Sequence, residues 1–444
     1  MRSFAILLAV STVGLAGCGS ITDLNPFGVK DTHLVGERET VFSTNTEMMA
    51  ADAMRPASVG PARANSDWPQ PGGNARNDPG HLAFNGGGTR AWRASVSGSG
   101  ISGGSMTRRG SLRIAARPVV AGDRVYVYSP DGAVTALSAS SGSRIWRTSL
   151  RPEKERDPAP GGGVTVDNGR VFVATGYGQM AALSVGNGEI IWQRDLVTPA
   201  RSAPTAGAGK VFVVSQKNEV FAVQQDDGTE SFSYDGIPEQ AGLVAASSPA
   251  VSGDKVVIPY TSGEVMAFSV ESGEPQWQEF VTRPMRTLAV SGLTDVSGSP
   301  VIDGGTVFAT GVAGRTIAVS LADGSKRWER NIGSAFTPVV SGSSLFLVDL
   351  GNRMVALDKA SGETLWMSQL PKPKKKKDET YAGPVLAGNA LYAVSNDGRL
   401  AQVDPTSGKL MSERSISSSA YNSPIVAAGQ MIIVSDTGEI TALR

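Results

Sequence analysis

Pro118-Val119-Val120, Val125-Tyr126-Val127-Tyr128, Val134-Thr135-Ala136-Leu137 and the run from Gly142 to Trp146 decide the fold. They are four short apolar stretches, and turn residues separate them. Runs of about four to six residues rich in Val, Tyr and Thr favour strands. Gly132 and Gly142 supply the positive φ that tight hairpin turns require. One unit of the pattern is therefore a four-stranded antiparallel sheet.

The unit repeats to the last residue. With Val125 as anchor, the equivalents are Val171, Val211, Val256, Val307, Leu345, Leu391 and Met431. Seven residues beyond each anchor stands Gly132, Gly178, Asn218, Gly263, Gly314, Asn352, Gly398 or Gly438. Ten further on come Gly142, Gly188, Gly228, Gly273, Gly324, Gly362 and Gly408. Four beyond those lie Trp146, Trp192, Phe232, Trp277, Trp328, Trp366 and, as the exception, Ser412. Offsets inside the unit are constant while the step between anchors varies from 38 to 51 residues, so length changes fall between units. A single sheet cannot bury both faces, and a repeat near 44 residues with four strands per unit is the blade of a β-propeller. The fold class is all-β, an eight-bladed β-propeller of four-stranded antiparallel blades.

Closure is also legible. The eighth unit ends at Ile440-Thr441-Ala442-Leu443, its third strand, whereas Gly88-Thr89-Arg90-Ala91-Trp92 has the spacing of a fourth strand without the other three. The N-terminal strand is expected to complete the last blade and remove two exposed edges. Trp92, Trp146, Trp192, Trp277, Trp328 and Trp366 then occupy one position in their blades. Docking between adjacent blades explains them better than ligand stacking does.

Composition agrees and excludes much else. Gly 53 and Pro 25 make up about one residue in six, above the usual share, and only 18% of residues are charged. Lys+Arg 41 balances Asp+Glu 41, which argues against a nucleic-acid partner. His33 and His81 are the two histidines and Cys18 is the single cysteine. A disulfide framework, a Cys/His zinc site and Cys-His catalysis are thereby excluded, and no metal or cofactor is expected.

The amino terminus reads as a secretory signal, with a basic start at Met1-Arg2, an apolar run over Phe4–Val13 and then Leu15-Ala16-Gly17-Cys18. That last tetrapeptide resembles the bacterial lipoprotein box, which implies a signal peptide over 1–17 and a lipid on Cys18. Gly19, where an Asp would favour inner-membrane retention, points to the outer membrane. Residues 18–66 lack period 2 and period 3.6 and are expected as a flexible tether, with the propeller over 67–444.

Ala356-Leu357-Asp358-Lys359-Ala360-Ser361-Gly362-Glu363-Thr364-Leu365-Trp366 resembles the tryptophan-docking motif of quinoprotein propellers. Trp68-Pro69-Gln70 before Gly72-Gly73 is similar to the opening segment of the same proteins. They divide into dehydrogenases that carry pyrroloquinoline quinone and the BamB family of outer-membrane lipoproteins. The dehydrogenases need an adjacent cysteine pair and a carboxylate calcium site, and no cysteine lies in the propeller. With no histidine after His81, imidazole acid–base chemistry is excluded there too. The BamB resemblance implies a non-enzymatic scaffold that faces the periplasm from the outer membrane. It would bind BamA and the other subunits of the β-barrel assembly machinery and promote folding and insertion of unfolded outer-membrane proteins. A dehydrogenase dependent on pyrroloquinoline quinone and a propeller lipoprotein with a different envelope partner are the alternatives.

Gly292-Leu293-Thr294-Asp295-Val296-Ser297 resembles the family's Leu-x-Asp-Val-Asp contact with BamA, with Ser297 in place of the second Asp. Leu196–Arg201 corresponds to its second contact loop, Leu-x-Leu-Arg, although Thr198 and Pro199 replace the Leu-Arg pair. Leu196, Arg201, Leu293 and Asp295 are thus the expected partner-binding residues, and Asp295→Arg is expected to weaken capture without altering the melting of the propeller. Both stretches connect one unit's last strand to the next unit's first, where recognition loops on a rigid scaffold usually lie. The cluster Lys372-Pro373-Lys374-Lys375-Lys376-Lys377, in another such connection, reads as a soluble loop, with anionic headgroups or an acidic patch as the alternative.

Overall fold

The hairpin spacing read above is reproduced in the computed structural model, which describes residues 54–86, 88–96, 116–239, 247–282, 295–372, 380–416 and 419–444. Every regular element among them is a strand. Blade 1 consists of Val119–Ala121, Arg124–Tyr128, Ala133–Ser138 and Arg144–Ser149, paired antiparallel in that order. Blades 2 to 7 repeat it over 162–195, 205–235, 250–280, 301–330, 339–369 and 381–415. First strands of successive blades are neighbours around the axis. The cores lie between sheets: Tyr126, Val134 and Trp146 of blade 1 pack with Val164, Val171 and Val173 of blade 2.

Blade 8 takes its first three strands from Ile425–Ala427, Gln430–Val434 and Glu439–Leu443, and its fourth from Arg90–Ser95. Trp92 stands opposite Ala442 and Ala94 opposite Ile440. Thr89 and Arg444 exchange backbone hydrogen bonds of 2.9 and 2.8 Å. Blades 8 and 1 share one core, in which Ile433 and Ile440 meet Val125 and Leu137. The ring of eight is closed, as the spacing requires.

The tryptophans dock as expected, and the geometry explains the spacing of glycine and tryptophan. Each indole N–H donates to a carbonyl in the turn between the third and fourth strands of the next blade. Trp92 reaches Ala139 at 2.8 Å, Trp192 reaches Gln225 at 2.9 Å and Trp366 reaches Pro405 at 3.1 Å. Trp146, Trp277 and Trp328 repeat this with Val185, Leu321 and Lys359. The ring lies flat on the next blade's glycine: a Cβ at Gly142 would stand 2.5 Å from Trp92, and one at Gly408 equally close to Trp366. That glycine therefore serves both its turn, at φ +72°, and the indole stacked upon it. A one-residue bulge recurs just before the tryptophan, as between Ala136 and Leu137 opposite Arg144–Trp146, and bends the strand so that the indole faces the neighbour. Ile145, Ile191 and Met411, each immediately before that position, are turned outward and exposed.

The segment before the propeller differs from expectation. Residues 54–66 were expected to belong to the tether, yet they are bonded to the blades. The Arg55 N–H donates to Leu365 O and the Ala57 N–H to Thr406 O, both at 2.9 Å. Together with residues 67–85 they form an axial cap that touches the first strand of every blade. Trp68 pairs with Val120, Pro69 accepts from Val166, Gln70 bonds Ala206, and Ala75 and Arg76 accept from Val251 and Ile302. Gly60 bonds Ser341, Leu82 bonds Leu386, and the Asn65 side chain bonds Val426. These bonds are irregular in sequence because their partners lie on eight different strands, so no local period betrays them.

Candidate partner-binding face

Antiparallel order puts all fourth-to-first connections and all second-to-third hairpins on one side of the ring. The axial cap bonds near the other end of the first strands, where they turn into the second strands.

The connection after blade 2 begins at Leu196, which is buried and donates its N–H to Gly178 O at 2.7 Å. Arg201, five residues later, is 1% exposed and forms an ion pair with Asp295, which is 0% exposed. Their meeting joins two connections that the sequence separates by 94 residues. The guanidinium also donates to Pro259 O at 3.2 Å and to Ser247 Oγ at 3.3 Å, and Ser247 in turn donates to Val296 O at 2.6 Å. The network therefore spans the connections leading into blades 3, 4 and 5. Desolvation is the main influence on Arg201 and lowers its pKa, while Asp295 opposes it. A buried charge must be matched in this way or be strongly destabilising.

The structure thus brings Arg201 and Asp295 together but gives neither a surface. As free contact residues they are corrected: each neutralises the other, and the pair braces the loops. Asp295→Arg would oppose two buried guanidinium groups, so a lowered melting temperature is now the expected outcome for that variant. Leu196 is a core residue here. Leu293, Cys18 and the lysines beyond Lys372 lie outside the described residues; Lys372 is exposed.

Among the described residues this face also exposes large apolar side chains. Val197, next to buried Leu196, is 94% exposed and has φ +65°, a conformation that a β-branched residue adopts only under strain. Ile237, in the connection after blade 3, is 56% exposed, and Phe280, at the end of blade 4's fourth strand, is 44% exposed. The connections after blades 2 and 3 and the last residue of blade 4's fourth strand therefore each present one large apolar side chain to solvent. Sequence reading missed them because isolated apolar residues after a strand resemble strand ends.

The sequence profile described as "Outer membrane protein assembly factor BamB" matches residues 80–160, 131–368 and 348–444. The chain belongs to the BamB family. A BamB of Vibrio cholerae is 40% identical over 218 residues, 49% of this chain and 56% of that protein. A BamB of Escherichia coli is 28% identical over 251 residues, 55% of this chain and 62% of that protein. The chain thus aligns with little more than half the length of these curated relatives. In fold it is similar to the crystal structure of BamB from Moraxella catarrhalis, with a TM-score of 0.66 at 18% identity, covering 75% of this chain and 98% of that one. Quinohemoprotein alcohol dehydrogenase from Comamonas testosteroni gives a TM-score of 0.65 at 13% identity, covering 90% and 84%; that likeness is one of fold alone. The curated relatives are named as assembly factors. No helix among the described residues is long and apolar enough to cross a membrane.

Proposed function

We propose that this BamB-family chain is a non-enzymatic scaffold of the outer-membrane β-barrel assembly machinery, held at the outer membrane by a lipid on Cys18 and facing the periplasm. It binds BamA through the side of the ring that carries the fourth-to-first connections, and so promotes folding and insertion of outer-membrane proteins. The observation that carries this reading is the exposure of Val197, Ile237 and Phe280 at the chain exits from blades 2, 3 and 4, on the same side of the ring as the connections that the buried Arg201–Asp295 pair ties together. Exposed apolar groups on a rigid base lose little entropy on docking and gain contact area. The strained backbone at Val197 is retained because the neighbouring residues fix it. Leu196, Arg201 and Asp295 act by positioning this surface, and Leu293 adds to the same contact.

The test is capture of BamA from detergent-solubilised envelopes by wild type and by Val197→Asp combined with Phe280→Asp. Both side chains are exposed, so melting should hold while capture falls about tenfold or more. Undiminished capture by a variant that melts like wild type would reject this face.

A further inference from the structure

Blade 7 has an outer strand unlike the others. In seven of the eight outer strands the third residue is aromatic and wholly or partly covered, as Trp146 is in blade 1 and Phe232 in blade 3. In blade 7 that residue is Ser412, which is exposed, and so are Leu410, Met411 and Glu413. The aromatic contact of the joint is nevertheless present. Tyr392 stands one residue beyond its anchor, as Tyr126 does in blade 1 and Phe346 in blade 6. Tyr126 meets Trp146 at 5.8 Å and Phe346 meets Trp366 at 5.9 Å, whereas Tyr392 meets Phe84 at 5.9 Å.

Phe84 comes from the axial cap, not from the outer strand. It is buried in one core with Val394 of blade 7 and Ile432 of blade 8. Leu82 fixes it: the Leu82 N–H donates to Leu386 O at 3.1 Å and the Gly388 N–H donates to Leu82 O at 2.8 Å. The joint is thus shut without an aromatic from the outer strand. That strand is held mainly within its own blade, by pairing with Arg399–Val403, by the Glu413–Arg399 ion pair and by Ser412 Oγ donating to Gln402 Oε1 at 2.8 Å. Among the described residues its link to blade 8 is Arg414, whose guanidinium lies over Gly88 and donates to Gly88 O at 2.6 Å. Elsewhere, peeling an outer strand away drags an aromatic ring out of the next blade; here it breaks one guanidinium contact. An element with few buried apolar contacts opens at a lower free energy than the rest of the fold.

We propose that Leu410–Ser415 is a detachable strand. It leaves blade 7 by local opening while Phe84 holds blades 7 and 8 together, so one blade bares the Arg399–Val403 edge and the ring stays shut.

Native-state hydrogen exchange on purified full-length protein, read by mass spectrometry, tests this. Amides paired between Leu410–Ser415 and Arg399–Val403 should exchange about tenfold or more faster than those paired between Thr364–Gln369 and Arg353–Asp358 in blade 6. Their rate should also stay constant as guanidinium chloride is raised below the unfolding transition, the mark of local opening. Equal protection in the two blades, or a rate that climbs with denaturant as steeply as global unfolding, would overturn the proposal. Phe84→Ala with Ser412→Trp moves the aromatic onto the outer strand and should bring its protection to within about threefold of blade 6. Exchange still as fast as in wild type would overturn the absent ring as the cause. Phe84→Ala alone should speed exchange in Ala390–Ser395 and Gln430–Val434 about tenfold or more and leave blades 3 to 5 as they are. Should that variant not fold, Phe84→Leu serves instead, with about threefold as the expected change. No acceleration at that joint would overturn the role given to Phe84.

Discussion

Arg201 and Asp295 show how a single pair can look like a contact and act as a brace. Removing one partner leaves the other charge buried, which costs about 3–5 kcal/mol. Asp295→Asn should accordingly lower the denaturant midpoint strongly, whereas Arg201→Met with Asp295→Leu should recover much of the loss, because a buried pair is often replaceable by apolar groups. A midpoint unchanged in the single variant would show that the pair is not buried in solution. Asp78, in the axial cap, gives a second prediction at this scale. Burial, and then Asp303, raise its pKa from 3.8 to about 6, against the opposing influence of Arg76, Arg63 and Lys359. Its Oδ1 is buried with no hydrogen-bond partner. A folded-state pKa above the unfolded value means that the native protein holds the proton longer. Its contribution to stability is therefore fullest below about pH 4 and is lost as pH rises through about 6. Asp78→Asn should be more stable than wild type at pH 7 by on the order of 1–3 kcal/mol and equal to it near pH 3.5. Urea unfolding at the two pH values measures this; a difference independent of pH would place the carboxylate in water.

Between blades, the unit of cohesion is an indole, a glycine and a carbonyl. Trp366→Ala removes a fully buried side chain, the stack on Gly408 and the bond to Pro405, and should cost about 3–5 kcal/mol in equilibrium unfolding. A cost below about 1 kcal/mol would mean that the blades cohere through their aliphatic residues alone. Strands, turns and docking positions were legible in the sequence because each repeats at a fixed offset: Gly142 predicts a turn wherever it recurs, and Trp146 a joint. The exception at Ser412 was visible, but what replaces the tryptophan was not. Arg414, two residues on, donates to Gly88 O at 2.6 Å, as Arg194 and Arg330 do to Gly228 and Gly362 at 2.8 Å in joints that also keep their tryptophan. At the joint from blade 7 to blade 8 the guanidinium serves without the indole. The axial cap and the Arg201–Asp295 pair were illegible for a common reason. Their partners are hundreds or tens of residues away, and each contact occurs once, so nothing repeats for a spacing argument to detect.

For the whole molecule, closure is the property on which the binding face depends, since connections on a ring keep fixed separations only while the ring is shut. Two devices shut it at the strand that joins head to tail. Arg90–Ser95 pairs with Glu439–Leu443, with Arg93 and Glu439 in an ion pair of 2.9 Å, and Trp92 docks on blade 1. Deleting residues 88–96 removes both at once. Blade 8 is left with Glu439–Leu443 as an open edge, and blade 1 loses the indole that covers Gly142. An unpaired apolar edge is a template for another chain. The deletion should therefore yield dimers and larger species on size exclusion with light scattering, and faster protease cleavage in blades 8 and 1 than in blades 3 to 5. The opposite blades keep their own joints, so damage should begin at the seam and spread from it. A monomer cleaved uniformly around the ring would instead mean that the axial cap, bonded to all eight first strands, closes the propeller without its terminal strand.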